Sequence, residues 1–288
     1  MKRYVGMLSL LASLAVAGFG QQRGPAQVFA PGVISGRDVF GISFTPDGKT
    51  AYFCETDPEI KHIQIMESHR IRGKWTAPRA ASFSLGESRD IDPFITPDGK
   101  HLIFQSNRPF AGRKDGRTDF DVYILDRRSD GWSEPRALSE VNSDANEAFV
   151  SAASSGALYF GSDRPGGKGK SDVYSLQAGG AATAPAVNIA ELNTDDSDSN
   201  PAIAFNEKFL IFSRAGDLFV SRRENGRWTP PEALALLNTA EDTEYAPAFS
   251  PDGKTLYFTS TKFQDGKRVK PGTIWFVPLS ALGLPPAR

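Results

Sequence analysis

One acidic residue recurs at nearly the same position in successive repeats of this chain. Asp90, Asp198 and Glu244 each lie 14 residues before a repeated Phe, and Glu147 lies 13 residues before its Phe. Carboxylates gathered in one place can act as an acid and base pair, hold a cation, or bind a basic peptide. Buried carboxylates also need polar partners, so the same residues can be purely structural.

Arginines follow the repeated Phe at a similarly regular distance. Arg108 and Arg164 each end a Ser-x-Arg step, and Arg214 ends a Ser-Arg step. A guanidinium and a carboxylate form strong, geometrically defined pairs. Recurrence of the carboxylate in successive repeats favours such structural pairs, because catalytic carboxylates are expected only once or twice in a chain and not in each repeat. The candidate binding residues of this mixed-charge surface are Asp90, Glu147, Asp198, Glu244, Arg108, Arg164 and Arg214.

The elements that position these charges repeat with a period near 50 residues. An aromatic-rich strand ends in Phe five times, with steps of 51, 56, 52 and 46 residues. Three of the strands follow a Pro-Asp-Gly-Lys turn, in which Gly supplies a positive φ. An all-β repeat of this length is typical of a β-propeller with four strands per blade. The repeated residues are Phe53, Phe104, Phe160, Phe212 and Phe258.

The repeat predicts one closed ring of five four-stranded antiparallel blades. The blades lie near residues 37–86, 87–140, 141–191, 192–238 and 239–280, with a long loop between residues 255–259 and 273–277 of the last one. That blade lacks a clear fourth strand, whereas residues 25–29 resemble the fourth strand of blade three at 185–189. We therefore expect an N-terminal strand within residues 25–35 to close the ring. In this architecture the acidic and basic loops lie on the same face.

The first twenty residues have the pattern of a secretory signal peptide. Lys2 and Arg3 precede an apolar run at 5–19, which is too short for a membrane span and is followed by small residues. We expect a single domain at 21–288 that is periplasmic or secreted, with no membrane span after signal removal. The lone Cys54 allows no internal disulfide and is expected to be buried. The net charge of −1 gives no bias toward nucleic acid.

Several segments resemble the WD40-like propeller repeat of the TolB class. The clearest is Phe-Ser-Pro-Asp-Gly-Lys-Thr-Leu-Tyr-Phe-Thr-Ser at 249–260, followed by Ser-Asp-Arg-Pro-Gly-Gly at 162–167 with Asp-Val-Tyr at 172–174. The resemblance covers roughly residues 25–280. It implies an exported propeller that binds envelope partners, and it implies no catalytic residues. TolB resembles a six-bladed ring with an additional α/β domain, whereas this chain has five repeats.

These features favour a non-catalytic module that binds an envelope protein, a peptide or a glycan, and we expect it to be a monomer. The three histidines are scattered, no Gly-x-Ser-x-Gly occurs, and no Cys-His cluster suggests a metal. We therefore predict no catalytic residues, no metal and no cofactor. The alternative is a five-bladed glycoside hydrolase that uses carboxylates at the channel mouth. Against it, three of the four tryptophans are expected on the opposite face, away from such a site.

Overall fold

The computed structural model describes residues 24–84, 86–109, 119–177, 185–265 and 267–288. Within them the regular secondary structure consists of strands and one short 3-10 helix, Leu279–Leu282. Five antiparallel sheets form the blades of a β-propeller, which confirms the predicted fold class. The predicted signal peptide at 1–20 lies outside the described residues. No helix within the described ranges is long and apolar enough to cross a membrane.

Each blade begins with an inner strand next to the central axis. From blade one to blade five these strands are Val39–Phe44, Asp90–Ile95, Glu147–Ala152, Asp198–Ile203 and Thr243–Phe249. Consecutive inner strands contact each other, and the last contacts the first. The blades therefore form a complete ring around a central channel.

The second strand of each blade carries the repeated Phe. These strands are Thr50–Thr56, His101–Ser106, Leu158–Ser162, Phe209–Arg214 and Thr255–Gln264. The third strands are Ile63–Ile71, Asp121–Arg128, Asp172–Leu176, Asp217–Glu224 and Lys267–Pro278. The predicted loop in blade five was wrong, because its second and third strands remain paired out to Gln264 and Lys267. Thr261, Phe263 and Val269 supply the β-branched and aromatic side chains that favour this longer hairpin.

The fourth strands are short and lie at the outer edge. In blades one to four they are Arg79–Ala80, Arg136–Ala137, Val187–Asn188 and Glu232–Ala233. In blade five this place is occupied by Gln27–Val28, which pair antiparallel with Phe276 and Trp275. Whether ring closure depends on this strand stays a prediction, and deletion of residues 25–36 followed by thermal melting would test it.

Blades one, two and four each carry a Trp hairpin at the same place. After the third strand, a tight turn leads into Lys74–Trp75, Gly131–Trp132 and Arg227–Trp228. Each of these two-residue strands pairs back onto the end of its own third strand. The hairpins lie on the face of the Pro-Asp-Gly-Lys turns, opposite the charged loops.

The hydrophobic core lies mainly between blades rather than within them. All five repeated Phe side chains are fully buried. Five apolar clusters each span two neighbouring blades, and one of them joins Phe53 of blade one with Ile274 of blade five. The C-terminal tail contributes Leu284 and Ala287 to the cluster between blades four and five. Since burial of apolar area is the main stabilising term, each blade depends on its neighbours.

Every inner strand contains a β-bulge at the same level of the channel. Its register shifts by one residue against the second strand in all five blades. The bulged residue has a positive φ of 49 to 57° in each case. Bulges of this kind bend a strand and redirect a side chain. We call these five positions the bulge ring, which consists of Gly41, Asp92, Phe149, Asn200 and Ala246.

Candidate functional site

The predicted carboxylate of blade two is held by its arginine inside the rim of the charged face. Asp90 is 1% exposed, and Arg108 Nη2 lies 2.8 Å from each of its carboxylate oxygens. Ser84 and Ser106 donate hydroxyl hydrogen bonds to the same carboxylate. The Arg108 guanidinium also lies 4.8 Å from the ring centroid of Phe104, the repeated Phe of this blade. The sequence regularity thus reflects a carboxylate, an arginine and a Phe in contact.

Blades three and four repeat this arrangement. Arg164 Nη2 lies 3.0 Å from Glu147 Oε1, and its guanidinium lies 5.0 Å from the centroid of Phe160. Arg214 Nε lies 2.5 Å from Asp198 Oδ1, and its guanidinium lies 5.4 Å from the centroid of Phe212. Both carboxylates are fully buried. They also accept main-chain hydrogen bonds from the loops that enter their strands, at Ser143 and Thr194.

Blades five and one differ from the other three. Glu244 is fully buried and accepts hydrogen bonds from the Thr239 amide and the Ser260 hydroxyl. The equivalent acid of blade one, Asp38, pairs with Arg268 at 2.5 Å and accepts the Gly272 amide at 2.8 Å. Both partners of Asp38 come from the long hairpin of blade five. This contact joins the last blade to the first across the charged face.

In blades two, three and four each rim acid is therefore paired with its own arginine, whereas Glu244 accepts hydrogen bonds from Thr239 and Ser260. Burial raises the pKa of Glu147, and this effect exceeds the opposite effects of Ser143, Arg164 and Ser162. A buried pair of this kind is costly to break, because the remaining charge loses its partner. The geometry matches the structural interpretation of the register. A direct role of Asp90, Glu147, Asp198, Glu244, Arg108, Arg164 and Arg214 in binding stays a prediction.

A different carboxylate, Asp92, lies in the central channel itself. It belongs to the bulge ring and lines a cavity of about 50 Å³, together with mainly apolar groups such as Phe149, Pro201 and Ala246. The side chain is 8% exposed, and neither carboxylate oxygen has a hydrogen-bond partner among the described residues. Such a cavity has room for one or a few water molecules. An unpaired carboxylate is thus buried beside a small apolar space.

The local backbone explains how Asp92 reaches this position. Its φ is +50°, a region that Asp and Asn enter more readily than most residues. Its amide donates to Cys54 Sγ of blade one at 3.1 Å. Gly41 of blade one leaves space for the carboxylate, since a Cβ there would lie 2.6 Å from Asp92 Oδ1. Gly41 also has a positive φ of 54°, so both its conformation and this contact require glycine.

Burial changes the acid strength of the groups around this carboxylate. It raises the pKa of Asp92 to about 7, because the ionised form loses its hydration without gaining a partner. Burial likewise raises the pKa of the Cys54 thiol well above its ordinary value, and the neighbouring Asp92 adds to this effect. Tyr245 also has a raised pKa, mainly from burial, and its hydroxyl has no partner in the described part of the chain. Asp92 can therefore take up or release a proton near neutral pH.

One regularity of the sequence marks the bulge ring. Relative to the repeated Phe, its residues lie 12 positions earlier, or 11 in blade three. Gly41, Asp92 and Asn200 at this position are residue types that favour a positive φ. This recurrence indicates a bulge, although only the fold shows that the position faces the channel. In the described ranges, no group of three or more His, Cys, Asp or Glu side chains could hold a metal ion.

The geometry can be compared with known proteins at the level of the fold. No family model matches this chain, and no curated protein matches it in sequence. Solved structures similar to it include an α-L-arabinofuranosidase from Lactobacillus brevis, with 14% identity and a TM-score of 0.57, over 86% of this chain and 93% of that one. A thermostable family-43 glycoside hydrolase has 10% identity and a TM-score of 0.57, over 85% and 91%.

A protein assigned as TolB from Agrobacterium tumefaciens is also similar. It has 14% identity and a TM-score of 0.51, and the match covers 84% of this chain and 78% of that one. At such identities the likeness concerns the fold, because propellers carry many unrelated activities. The similar structures thus include both a TolB-type protein and glycoside hydrolases.

Proposed function

We propose that this protein is an exported, TolB-like β-propeller that acts as a non-catalytic binding module in the cell envelope. The observation that supports this most is the state of the rim carboxylates. Asp90, Glu147 and Asp198 are buried and engaged by arginines, so they are not available as an acid and base pair. Glycoside hydrolysis ordinarily requires two carboxyl groups that flank the scissile bond. Asp92 is the one carboxylate among the described residues that line the channel cavity.

The proposed binding surface is the charged face around the channel mouth. Exposed acids in the loops that enter the inner strands, such as Asp195 and Asp196, alternate with exposed bases such as Lys170 and Lys267. The buried pairs beneath them hold these loops in place. A rigid surface with charges of both signs suits a polar protein, peptide or glycan partner, and it sets orientation and association rate more than total affinity.

Affinity capture from an envelope extract would test this surface. The immobilised mature protein is compared with the D195K/D196K variant and with a K100E/K208E variant, whose changed charges lie on the opposite face. We expect the first variant to lose a specific partner and the second to retain it. Equal capture by all three proteins would exclude this face as the working surface.

Export is a separate part of the proposal. Lys2, Arg3 and the apolar run at 5–19 motivate it. N-terminal sequencing of the protein purified from its native host should show a new terminus near residue 21. An intact Met1 on a cytosolic protein would contradict both the export and the envelope partner.

A second candidate function, glycoside hydrolysis, has one observation in its favour. The pKa of Asp92 is raised to about 7, which suits a general acid at neutral pH. Hydrolysis of aryl α-L-arabinofuranosides or β-D-xylosides by the wild-type protein, abolished in Asp92→Asn with folding intact, would establish this function. The absence of turnover in both proteins is the result that the binding proposal predicts.

A further inference from the structure

The three Trp hairpins occupy equivalent positions in blades one, two and four. In each, the Trp pairs with an arginine on the facing strand. The pairs are Arg70 with Trp75, Arg127 with Trp132, and Arg223 with Trp228. Because the backbone register is the same, differences among them reflect the side chains and their surroundings.

In blades two and four the arginine covers its own indole. The Arg127 guanidinium lies 4.9 Å from the Trp132 ring centroid, and that of Arg223 lies 5.7 Å from the Trp228 centroid. These are cation–π distances. Each indole also packs against a tyrosine of the preceding blade, and Trp132 Nε1 donates to the Tyr52 hydroxyl at 3.0 Å.

Blade one lacks this internal cation. Arg70 Nε donates instead to the Gly73 carbonyl at 3.4 Å. In the described part of the chain, no guanidinium lies over Trp75. Its indole packs at right angles or obliquely against Phe29 and Phe44, with centroids 5.7 and 6.0 Å apart. The cation site found on the two equivalent indoles is thus not filled by this protein's own arginine.

Trp75 lines a groove of about 410 Å³ between blades five and one. Five aromatic rings border this groove. They are Phe29, Phe44, Trp75, Tyr257 and Phe276, with neighbouring centroids 4.8 to 6.4 Å apart. Phe29 and Phe44 are buried beneath the other three, which are partly exposed. The volume is within the range of small-molecule sites.

Two carboxylates, Asp47 and Asp252, and one guanidinium, Arg70, line the edge of this groove, so its lining has a net negative charge. Asp47 Oδ1 accepts hydrogen bonds from the Thr45 hydroxyl and the Lys49 amide, and Asp252 Oδ1 does the same with Ser250 and Lys254. The hydroxyl bonds in particular hold the pKa of both carboxyls below the usual range. Both side chains are exposed, line the groove and remain ionised at neutral pH.

We propose that this aromatic groove binds a quaternary ammonium group, such as the trimethylammonium of a choline derivative. Such a cation has no N–H to satisfy, and aromatic rings attract it through their π electrons rather than through hydrogen bonds. The Asp47 and Asp252 carboxylates add a long-range attraction for positive charge. The site lies on the turn face and does not depend on the function proposed for the channel face.

Titration of the mature protein with choline chloride tests this site, with 3,3-dimethylbutan-1-ol as the neutral molecule of the same shape. Isothermal calorimetry should show saturable choline binding at one site, with at least about tenfold weaker binding of the alcohol, equivalent to about 1.4 kcal/mol. Trp75→Leu should abolish this binding. The matched control Trp228→Leu should retain it, because the Arg223 guanidinium already lies over the Trp228 ring.

Two further variants avoid the aromatic core. D47N/D252N should weaken choline binding, and Arg70→Gln should strengthen it by removing a like charge from the rim. Circular dichroism and melting curves identify any variant that fails to fold, and for these two surface changes the fold should be intact. Equal binding of choline and the alcohol, binding unaffected in Trp75→Leu, or no binding by the wild-type protein would each overturn the proposal.

Discussion

The rim acids and Asp92 all lie close to the axis of this propeller, but they have different surroundings. The rim acids, such as Asp90 and Glu147, are buried with arginines, hydroxyls and amides around them. Asp92 lies only two residues after Asp90 in the sequence, yet its carboxylate has no hydrogen-bond partner among the described residues. The rim acids and Asp92 are all buried carboxylic acids, but only the rim acids have polar partners in the described part of the chain. The regularly recurring acids are therefore the ones held by polar partners, whereas the acid outside that register is buried without one among the described residues.

The bulge is the physical cause of this difference. A strand normally alternates its side chains, so residues two apart share a face. The inserted residue breaks this alternation and turns Asp92 toward Gly41 of the neighbouring blade. At the same position Asn200 satisfies its amide through Ser213 and the Ala246 main chain. In blade four, the polar side chain at this channel position therefore has hydrogen-bond partners, which Asp92 lacks among the described residues.

The largest expected effect comes from Asp92→Asn, measured at several pH values. In the unfolded chain this carboxyl ionises near 3.8, whereas in the folded protein its pKa is about 7. The stability that the group provides is thus complete below about pH 4 and is lost as the pH rises to 7. At about 1.4 kcal/mol per pKa unit, Asn should stabilise the protein by about 2–4 kcal/mol at pH 8.

Urea denaturation of the wild type and of this variant at pH 4, 6 and 8 measures that difference. Asn tolerates the backbone conformation, since Asn200 adopts a φ of 54° at the equivalent position. The gain should be small at pH 4, where the carboxyl is protonated in the folded protein and only partly ionised in the unfolded chain. A difference that does not change with pH would show that Asp92 is not the titrating group.

Replacement of a rim acid should destabilise the protein, in contrast to Asp92→Asn. Replacement with Ala removes the partner of a partly buried arginine or of main-chain donors, and each change should destabilise the protein by about 1–3 kcal/mol. The four variants are Asp90→Ala, Glu147→Ala, Asp198→Ala and Glu244→Ala. The exposed Asp196→Ala provides a control with an expected change within about 0.5 kcal/mol. Four unchanged melting temperatures would refute the structural role and return these acids to the list of functional candidates.

The period of the chain was enough to predict the propeller, because the repeated Phe is a core residue between blades in every copy. The pairing of rim acids with arginines also followed from regular spacing. Asp92 was missed because its position holds five different residue types and its surroundings come from two blades. The long hairpin of blade five was missed because Lys262, Lys267 and Lys270 have the composition of a loop. Their side chains are solvated while their main chain remains paired.

Gly41→Ala tests the contact that leaves space for Asp92. The added methyl group would lie 2.6 Å from Asp92 Oδ1, and the alanine at position 41 would have to adopt a positive φ. We expect a loss of about 1–2 kcal/mol, of which the backbone alone contributes about 1. Ala246, at the same position in blade five, shows that alanine can adopt this conformation.

A double-mutant cycle separates the two contributions. In an Asp92→Ala background the methyl group meets no carboxylate, so Gly41→Ala should cost only the backbone term. The reverse change Ala246→Gly serves as the control for that term. An identical cost of Gly41→Ala in both backgrounds would mean that the carboxylate moves aside freely and that Gly41 does not define its position.

The smallest expected effect concerns Cys54, which accepts the Asp92 amide through sulfur. The equivalent residue of blade five, Thr259, accepts the Gly41 amide through its hydroxyl at 3.2 Å. Sulfur is a weak acceptor, so Cys54→Ser should exchange a small loss of packing for a stronger hydrogen bond and change the stability by less than about 1 kcal/mol. Cys54→Val keeps the volume but leaves the buried amide without an acceptor, so it should be less stable than the Ser variant by about 1 kcal/mol. Urea denaturation at pH 5 measures this difference while the Asp92 carboxyl remains protonated. Equal stability of the two variants would show that the amide–sulfur contact contributes nothing, and that packing between Gly41 and Asp92 alone positions the bulge of blade two.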